Sequence, residues 1–354
     1  MENMVSEFWK DKRVLITGHS GFKGSWLSLW LNKLGAEVMG FSLQPEESSS
    51  IFYQAKIASV VESIFGDIRD YEIMKSNMTD FKPEIIFHLA AQPLVRDSYL
   101  DPLETYSTNV LGTANVLQAA RSVDFCEAIV VVTSDKCYEN KELNRPFQEQ
   151  DPMGGHDPYS SSKGCAELVT QSFRKSYFQE SEVFLASARA GNVIGGGDWS
   201  KDRLIPDMVR AVKSDQKIKL RNPKATRPWQ HVLDPLCGYI KLAESLYNKT
   251  LDSDSAWNFG PPEMEDKEVV WITKNFLEMW GSESLWSIDE KKAPHEAQYL
   301  RLDSSKAIQK LDWKPVWNTT QALKHTFYWY QQSFLRDQML DLSMEQIDLY
   351  TAEL

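Results

Sequence analysis

The sequence predicts an α/β fold, with a doubly wound parallel sheet in its first half and a smaller, less regular second half. Three observations lead to this prediction. Apolar stretches rich in β-branched residues alternate with helical patterns, a glycine-rich loop follows the first stretch, and the regular alternation ends near Arg189. Strands that are apolar throughout and separated by helices are typical of a parallel sheet covered on both faces.

Six strands are predicted in the first half, at residues 13–17, 37–41, 59–64, 84–89, 128–133 and 183–187. The first helix covers residues 23–34 and ends before Gly35. After Arg189 the sequence contains more Trp, Pro and Arg, and its elements are shorter. We therefore predict a first domain over residues 1–188, with segments near 230–262 that return to it, and a second domain over most of residues 189–354.

The composition limits the classes of partner. The 354 residues include 39 Lys and Arg against 50 Asp and Glu, a net charge of −11 that disfavours nucleic-acid binding. No apolar run approaches the roughly 20 residues that span a bilayer, and residues 1–12 are polar and acidic, unlike a signal peptide. The four cysteines form no CxxC pair, so neither a disulfide framework nor a metal site is predicted. We expect a cytoplasmic protein without a membrane partner.

The loop between the first strand and the first helix carries Gly18, Gly21 and Gly24 in a Gly-x-x-Gly-x-x-Gly spacing. Glycines at such a junction allow a tight turn and a close approach of the backbone to a pyrophosphate at the helix N-terminus. The loop therefore predicts a Rossmann-type dinucleotide site in which these glycines and Phe22 contact the cofactor. The alternative is a turn with a purely structural role.

Two further positions bear on the cofactor. The acidic residue that often follows the second strand and binds the adenosine ribose is missing around Ser42, and no arginine replaces it. This position leaves NAD and NADP open. After the third strand, Asp67 and Ile68 are candidates for the adenine contact, because a carboxylate can accept from the adenine amino group. The alternative there is a helix N-cap formed by Asp67 or Asp70.

A helix start is predicted at Asp157 and Pro158, and it places Tyr159 and Lys163 four residues apart on one helical face. An ammonium group beside a phenol favours the phenolate, so we expect the lysine to lower the pKa of the tyrosine. Tyr159 is then a candidate general base for a substrate hydroxyl. A lone Tyr-x-x-x-Lys pair is often an ordinary helix surface, but the preceding glycine loop favours the catalytic interpretation.

The fifth strand ends in Thr133-Ser134-Asp135-Lys136, and ligands of open parallel sheets bind at the carboxyl ends of strands. Ser134 is placed to bond a substrate oxygen beside Tyr159, and Asp135 and Lys136 form an adjacent acid and base. The alternative is a turn with solvated charges, which the neighbouring tyrosine helix disfavours.

These residues resemble the extended short-chain dehydrogenase/reductase family, and later motifs together with Lys136 resemble its CDP-glucose 4,6-dehydratase subfamily. The resemblance extends over nearly the whole chain and includes residues 17–30, 87–96, 105–112, 133–138, 189–199, 221–236, 257–261 and 294–306. It implies a tightly held NAD and a cytoplasmic homodimer or homotetramer. It also implies conversion of CDP-D-glucose to CDP-4-dehydro-6-deoxy-D-glucose and water, for dideoxysugar and O-antigen lipopolysaccharide biosynthesis.

The resemblance further implies roles for individual residues. Lys163 would hold the nicotinamide ribose, and Asp135 would protonate the departing 6-hydroxyl. Related dehydratases that act on dTDP- or GDP-sugars carry a glutamate where this chain has Lys136, so the base that removes the C5 proton is left open, with Lys136 as a hypothesis. The cofactor would also be bordered by Leu89, Ala90, Ala91 and Thr133.

The pyrophosphate and cytidine of such a substrate need donors on an acidic protein. Arginine matches phosphate geometry through its planar fork. Each of the candidates could alone be a solvated surface group, and only its place in the family motifs favours binding. The candidates in the second half are Asn192, Arg203, Arg227 and His231.

Two other classes of function stay open. One is a 4,6-dehydratase or 4-epimerase that acts on a dTDP-, UDP- or GDP-sugar. The other is a redox-sensing regulator that keeps the NAD fold without catalysis. A regulator has no need of Tyr159, Lys163 and Asp135 together, and their joint presence disfavours it.

Overall fold

A seven-stranded parallel sheet forms the centre of the molecule. The computed structural model describes residues 7–46, 48–141, 145–251, 256–262, 266–289 and 300–354. In chain order the strands are β1 (Arg13–Thr17), β2 (Glu37–Ser42), β3 (Glu62–Phe65), β4 (Ile85–His88), β5 (Ala128–Val132), β6 (Phe184–Ala190), β7 (Val193–Ile194), β8 (Ile218–Leu220), β9 (Thr226–Pro228), β10 (Gln230–His231), β11 (Ala256–Phe259), β12 (Asp266–Glu268) and β13 (Trp286–Ile288).

The strand order of the central sheet is β11-β6-β5-β4-β1-β2-β3, and every pairing within it is parallel. From β1 the chain builds outward through β2 to β3, then returns to β4 beside β1 and builds in the opposite direction. Strands β4 and β5 are buried along their whole length, as apolar strands covered by helices on both faces must be. The predicted Rossmann-type doubly wound fold is confirmed.

Helices connect the strands and cover the sheet. Polar residues fix several of their starts: Asp70 accepts a hydrogen bond from the backbone N–H of Ile73 at 3.1 Å, and Asn318 and Gln321 form a capping box. None of the described helices is long and apolar enough to cross a bilayer. In chain order they are α1 (Phe22–Lys33), α2 (Ile51–Gln54), α3 (Tyr71–Phe81), α4 (Val95–Leu100), α5 (Pro102–Tyr106), α6 (Gly112–Arg121), α7 (Pro158–Phe173), α8 (Leu204–Ser214), α9 (Leu233–Tyr247), α10 (Val269–Met279), α11 (Ser305–Leu311), α12 (Thr319–Ser333) and α13 (Leu340–Ala352).

The carboxyl ends of the central strands meet at one edge of the sheet. Thr17 of β1 is in register with His88 of β4, which is in register with Val131 of β5, and Val132 is in register with Ala188 of β6. The loops that follow these four strands therefore lie side by side. This edge is where a doubly wound fold binds its ligands.

The second half is built differently: apart from β11, its described strands form three two-stranded pairs, β7 with β10, β9 with β12, and β8 with β13. Of the two stretches predicted to return to the main sheet, Ala256–Phe259 does so and lies parallel to β6, whereas Gln230–His231 pairs with β7. The domain boundary at residue 188 stays a prediction. Residues 252–255 of the returning segments and 294–299 of the last family motif lie outside the described residues.

Candidate active site

The glycine loop after β1 makes a turn that only glycine can make at two of its positions. Gly18 has φ +79°, and a Cβ atom there would lie 2.7 Å from the backbone nitrogen of Ala90. A Cβ atom on Gly24 would lie 2.1 Å from the carbonyl oxygen of Gly18. Helix α1 begins at Phe22, after Gly21, and carries no acidic residue in its first turn. An uncrowded helix N-terminus beside this turn fits the pyrophosphate of a dinucleotide.

The end of β2 presents uncharged hydroxyl and imidazole groups. The Ser42 hydroxyl lies 3.0 Å from Nδ1 of His19 and 2.8 Å from the Ser20 hydroxyl. Gly40 leaves the space that the imidazole ring fills, since a Cβ there would lie 2.0 Å from the ring. Burial lowers the pKa of His19 to about 4, so the ring is neutral at physiological pH. These groups can hydrogen-bond ribose hydroxyls, and they give a 2′-phosphate no opposite charge.

After β3, the carboxylate of Asp67 has a partner that the sequence did not suggest. Both carboxylate oxygens of Asp67 accept hydrogen bonds from Arg69, which also pairs with Glu104. The hydrogen bonds from Arg69 lower the pKa of Asp67. Asp70, and not Asp67, caps the following helix, and Ile68 packs against Gly112. The adenine contact of Asp67 and Ile68 stays a prediction.

Helix α7 brings Tyr159 and Lys163 to the same edge, and both side chains are buried. The carboxylate of Asp157 caps the helix by accepting from the backbone N–H of Ser160 at 2.9 Å. Burial raises the pKa of Tyr159 to about 12, and a hydrogen bond with Ser134 opposes the rise. Burial also lowers the pKa of Lys163 to about 8. The expected fall in the tyrosine pKa is therefore absent in the protein alone, because desolvation of the phenolate outweighs the nearby cations.

Ser134, Asp135 and Lys136 follow β5 and face the same space as Tyr159. The Ser134 hydroxyl donates to Oδ1 of Asp135 at 2.9 Å and accepts from the backbone N–H of Lys136 at 3.2 Å. Within the described residues, Oδ2 of Asp135 has no hydrogen-bond partner. Burial raises the pKa of Asp135, although Lys136 and the Ser134 hydrogen bond oppose the rise. A buried carboxyl with one unpartnered oxygen suits a group that carries and donates a proton.

A cleft of about 380 Å³ opens in front of these side chains, between the sheet edge and the second half. Arg203 points into it while bonded to Asp198 at 2.9 Å. No group of three or more His, Cys, Asp or Glu in the described part of the chain is placed to bind a metal ion. The predicted site residues that line the cleft are Thr133, Ser134, Asp135, Lys136, Tyr159, Asn192, Arg203 and Arg227.

His231 does not reach this cleft. Its side chain is fully buried, with ring centroids 4.7 Å from Trp317, 6.2 Å from Trp26 and 6.4 Å from His325. Nδ1 of His231 accepts from the backbone N–H of Leu233 at 3.3 Å. The substrate contact predicted for this side chain is therefore corrected: the aromatic residues around it make it part of the core.

Comparison with known proteins identifies the family. A sequence model of the family described as GDP-mannose 4,6-dehydratase matches residues 15–326. The chain belongs to this family. A CDP-glucose 4,6-dehydratase of Salmonella typhimurium is 49% identical over 97% of this chain and 97% of its own length. A dTDP-D-glucose 4,6-dehydratase of Bos taurus is 24% identical over 91% of this chain and 90% of its own.

Two solved structures have the same fold as this member of the GDP-mannose 4,6-dehydratase family. An epimerase of Methanothermobacter thermautotrophicus has a TM-score of 0.81 at 24% identity and covers 94% of this chain and 97% of its own. A dTDP-glucose 4,6-dehydratase of Streptomyces venezuelae, solved with NAD, has a TM-score of 0.79 at 22% identity. It covers 90% of this chain and 97% of its own. The predicted membership of a dehydratase family is confirmed.

A buried polar network around Glu167 lies beneath the site and was not predicted from the sequence. Arg189 donates from Nη2 to Oε2 of Glu167 at 2.7 Å, and Glu167 also accepts from the hydroxyls of Thr133 and Ser187. The hydroxyl of Thr133 is thus directed at Glu167, although the residue borders the cleft. Glu167 lies one helical turn after Lys163, which is the signal that could have found it.

Two more site neighbours were also missed. Asn109, in a π-helical segment at Ser107–Leu111, donates to the carbonyl of Gln92 at 3.0 Å and to the hydroxyl of Ser162 at 2.8 Å. It thereby ties the loop after β4 to the tyrosine helix of this dehydratase-family fold. Lys23, in the first turn of α1, lines the cleft, and burial lowers its pKa to about 8.

Proposed function

We propose that this chain is an NAD-dependent CDP-glucose 4,6-dehydratase, which converts CDP-D-glucose to CDP-4-dehydro-6-deoxy-D-glucose and water. The observation that carries the proposal is the 49% identity to the Salmonella enzyme over nearly the whole of both chains. The geometry agrees with it, since a tyrosine, a serine and a buried carboxyl share one cleft with Lys136. A regulator without catalysis would not need this arrangement.

The groups around the glycine loop would hold NAD. The turn at Gly18, Gly21 and Gly24 and the start of α1 at Phe22 would receive the pyrophosphate, and Lys163 would bond the nicotinamide ribose. The neutral hydroxyls around Ser42 favour NAD over NADP, because a 2′-phosphate needs a cation. When bound, NAD supplies a hydride acceptor for C4 and a hydride donor for C6. The loop after β4 would border the cofactor with Leu89, Ala90 and Ala91.

In the first step Tyr159 would take the proton of the sugar 4-hydroxyl as C4 is oxidised. Ser134, hydrogen-bonded to both Asp135 and Tyr159, would hold the sugar oxygen in reach of the phenol. The charge of Arg203 also stabilises the phenolate. Burial raises the pKa of the phenol, so ionisation of Tyr159 would depend on Ser134 and Arg203 and not on contact with solvent.

In the second step the 4-ketone acidifies the C5 proton, and a base removes it as the 6-hydroxyl leaves. A proton would be restored at C5 when C6 receives the hydride, which gives the 6-deoxy product. Asp135 would protonate the departing hydroxyl, since its buried carboxyl favours the neutral acid. Lys136 lies at the same cleft, next in the chain, and remains our hypothesis for the C5 base. The nucleotide diphosphate would be bound by Arg203 and Arg227, with Asn192 beside them.

We further propose a cytoplasmic homodimer or homotetramer that serves dideoxysugar and O-antigen lipopolysaccharide biosynthesis. Helices α4, α5 and α7 and the π-helical segment before α6 pack together and leave four leucines largely exposed. Large exposed apolar side chains on helices that pack together favour a subunit contact in this region. The side chains are Leu100, Leu103, Leu111 and Leu168, with exposures of 84%, 79%, 54% and 56%.

Turnover with CDP-, dTDP-, UDP- and GDP-glucose in parallel, read by mass spectrometry and NMR, tests the activity. We expect loss of one water and a 4-keto-6-deoxy product, fastest with CDP-glucose. A 4-epimerase would give a product of unchanged mass, and a regulator would give none. Faster turnover of another nucleotide sugar would contradict the substrate. Cofactor extracted from the purified protein should be NAD, and NADP would contradict the cofactor.

A further inference from the structure

An ionic cluster of three side chains borders the cleft outside the catalytic groups. Nη1 of Arg96 lies 2.7 Å from Oδ1 of Asp202, and Nη2 of Arg221 lies 3.6 Å from the same oxygen. All three residues line the cleft. Their side chains are 47%, 37% and 32% exposed, in the order Arg96, Asp202, Arg221, so the cluster lies near solvent. One carboxylate oxygen therefore serves two cations that face the space for a ligand.

The three residues come from both halves of the molecule. Arg96 belongs to α4, in the loop region after β4, whereas Asp202 precedes α8 and Arg221 follows β8. Asp202 has φ +59°, in the left-handed region that few residues other than Gly, Asn and Asp adopt readily. The ion pair with Arg96 thus crosses the cleft from the second half to the sheet edge.

Asp202 occupies the groups that a diphosphate would use. A carboxylate and a phosphate bind the same planar fork of a guanidinium group, so the two ligands compete for an arginine. Exposed ion pairs contribute little to stability, so exchanging one anion for the other has a low cost. The diphosphate of a nucleotide carries more negative charge than a carboxylate. Asp207 and Lys219 also line this part of the cleft and add one charge of each sign.

We propose that Arg96 and Arg221 form a binding point for the diphosphate of a nucleoside diphosphate, in addition to Arg203 and Arg227 of the same cleft, and that Asp202 holds Arg96 and Arg221 in the ligand-free enzyme. The ligand class rests on the proposed function. Asp202 then acts against binding, while the arginines act for it. A cluster that only joined the two halves would instead lose stability and affinity when any of its three members was removed. The two roles predict opposite signs for Asp202, and that difference can be measured.

The test is calorimetric titration of CDP into the purified full-length protein and its variants. Arg96→Met and Arg221→Met keep most of the apolar stem and remove the fork, and each should weaken CDP binding about tenfold. Asp202→Asn keeps a residue suited to the left-handed conformation and removes the charge, and it should tighten CDP binding about threefold to tenfold. Lys249→Met, which removes a cation from an exposed pair with Glu182, is the control and should bind CDP as the wild type does.

The pattern of signs decides between the outcomes. Weaker binding in all three variants, with a lower melting temperature, would show a structural cluster and overturn the proposal. Unchanged binding in all three would overturn it as well. Repeating the titrations with UDP, dTDP and GDP separates this inference from the proposed substrate, because the arginines read the diphosphate and not the base. Opposite signs with a tighter-binding nucleotide other than CDP would support the cluster and contradict the substrate. A protein that bound none of the four would contradict both.

Discussion

The two sides of the cleft hold their functional side chains by different means. On the sheet edge, Tyr159 and Asp135 are 8% and 2% exposed and sit at the start of a capped helix and the end of a buried strand. On the opposite side, Asp202 and Arg203 stand in the loop between β7 and α8 and are bound in ion pairs near solvent. The side chains that we propose as catalytic are thus fixed and desolvated, which shifts their pKa values, whereas the side chains that we propose to bind the nucleotide keep exchangeable anionic partners.

The largest effect on turnover should come from the sheet-edge side of the cleft, which we call the fixed side. Tyr159→Phe removes the phenol oxygen that we propose as the base and keeps the ring volume in its buried position. We expect turnover of CDP-glucose to fall by about two to four orders of magnitude, with the circular dichroism spectrum and melting temperature unchanged. The matched control is Tyr328→Phe, at an exposed tyrosine of α12, which should leave turnover unchanged. Near-normal activity of folded Tyr159→Phe would mean that another group is the base.

The next largest effect concerns the free energy of unfolding and the buried ion pair of Glu167 and Arg189. Glu167→Gln leaves the buried Arg189 charge without its ionic partner, which typically costs about 3–5 kcal/mol of unfolding free energy. Urea unfolding measures the loss, and Glu182→Gln in the exposed pair with Lys249 should cost at most about 1 kcal/mol. The double variant Glu167→Gln/Arg189→Met should recover part of the loss. Equal losses at the buried and exposed pairs would mean that burial does not increase the contribution of the Glu167–Arg189 pair to stability.

The position of Lys136 tests whether the fixed side also supplies the C5 base. Lys136 lines the cleft next to Asp135 and is our hypothesis for the group that removes the C5 proton. We expect Lys136→Met to oxidise C4 but to slow elimination by about two orders of magnitude. Reduced-nicotinamide absorbance should then build up, and the C5 hydrogen should not exchange with deuterated water. Exchange at the wild-type rate would leave Lys136 as an electrostatic neighbour only.

The sequence was a good guide on the fixed side and a poor one on the other. A strand–glycine loop–helix unit and a Tyr-x-x-x-Lys helix depend on local spacing, so β1, α1 and Tyr159 could be placed from the residues alone. The pKa direction of Tyr159 was wrong, because burial is a property of the folded chain and outweighs the nearby cations. The substrate contact predicted for His231 was wrong for the same reason, since the aromatic rings that bury it come from distant parts of the chain.

On the side of the cleft opposite the sheet edge, the spacing of residues in the sequence does not predict which charged side chains pair. The pair between Arg96 and Asp202 joins residues more than a hundred positions apart, across a cleft that only the folded chain forms. Asp198, which holds Arg203, is likewise an ordinary loop aspartate in the sequence. Ligand-binding arginines can be suspected from motifs, but the anions that hold them in the free protein appear only in the structure.

The smallest effect concerns a buried acid that belongs to neither side of the cleft. Asp234, at the start of α9, accepts from the hydroxyl of Tyr350 in α13 at 2.9 Å and from the backbone N–H of Val316 at 2.8 Å. Burial raises its pKa from 3.8 to about 7. The folded protein therefore binds this proton more tightly than the unfolded chain does. The stability it contributes is complete below the unfolded pKa and is lost as pH rises through about 7.

Between pH 6 and pH 8 this acid should lower the free energy of unfolding by about 1 kcal/mol, since it loses its proton in the folded state while the unfolded chain has none to lose. Two neighbouring histidines act in the opposite direction: burial lowers the pKa of His231 and of His325, so each stabilises the folded state more as pH rises to about 6.5. Asp234→Asn isolates the acid, because it keeps both histidines and cannot titrate. Urea unfolding at the two pH values should show a fall in the wild type that is about 1 kcal/mol larger than in Asp234→Asn. Equal pH dependence in the two proteins would mean that Asp234 is ionised throughout this range, and that Tyr350 and Val316 hold a carboxylate.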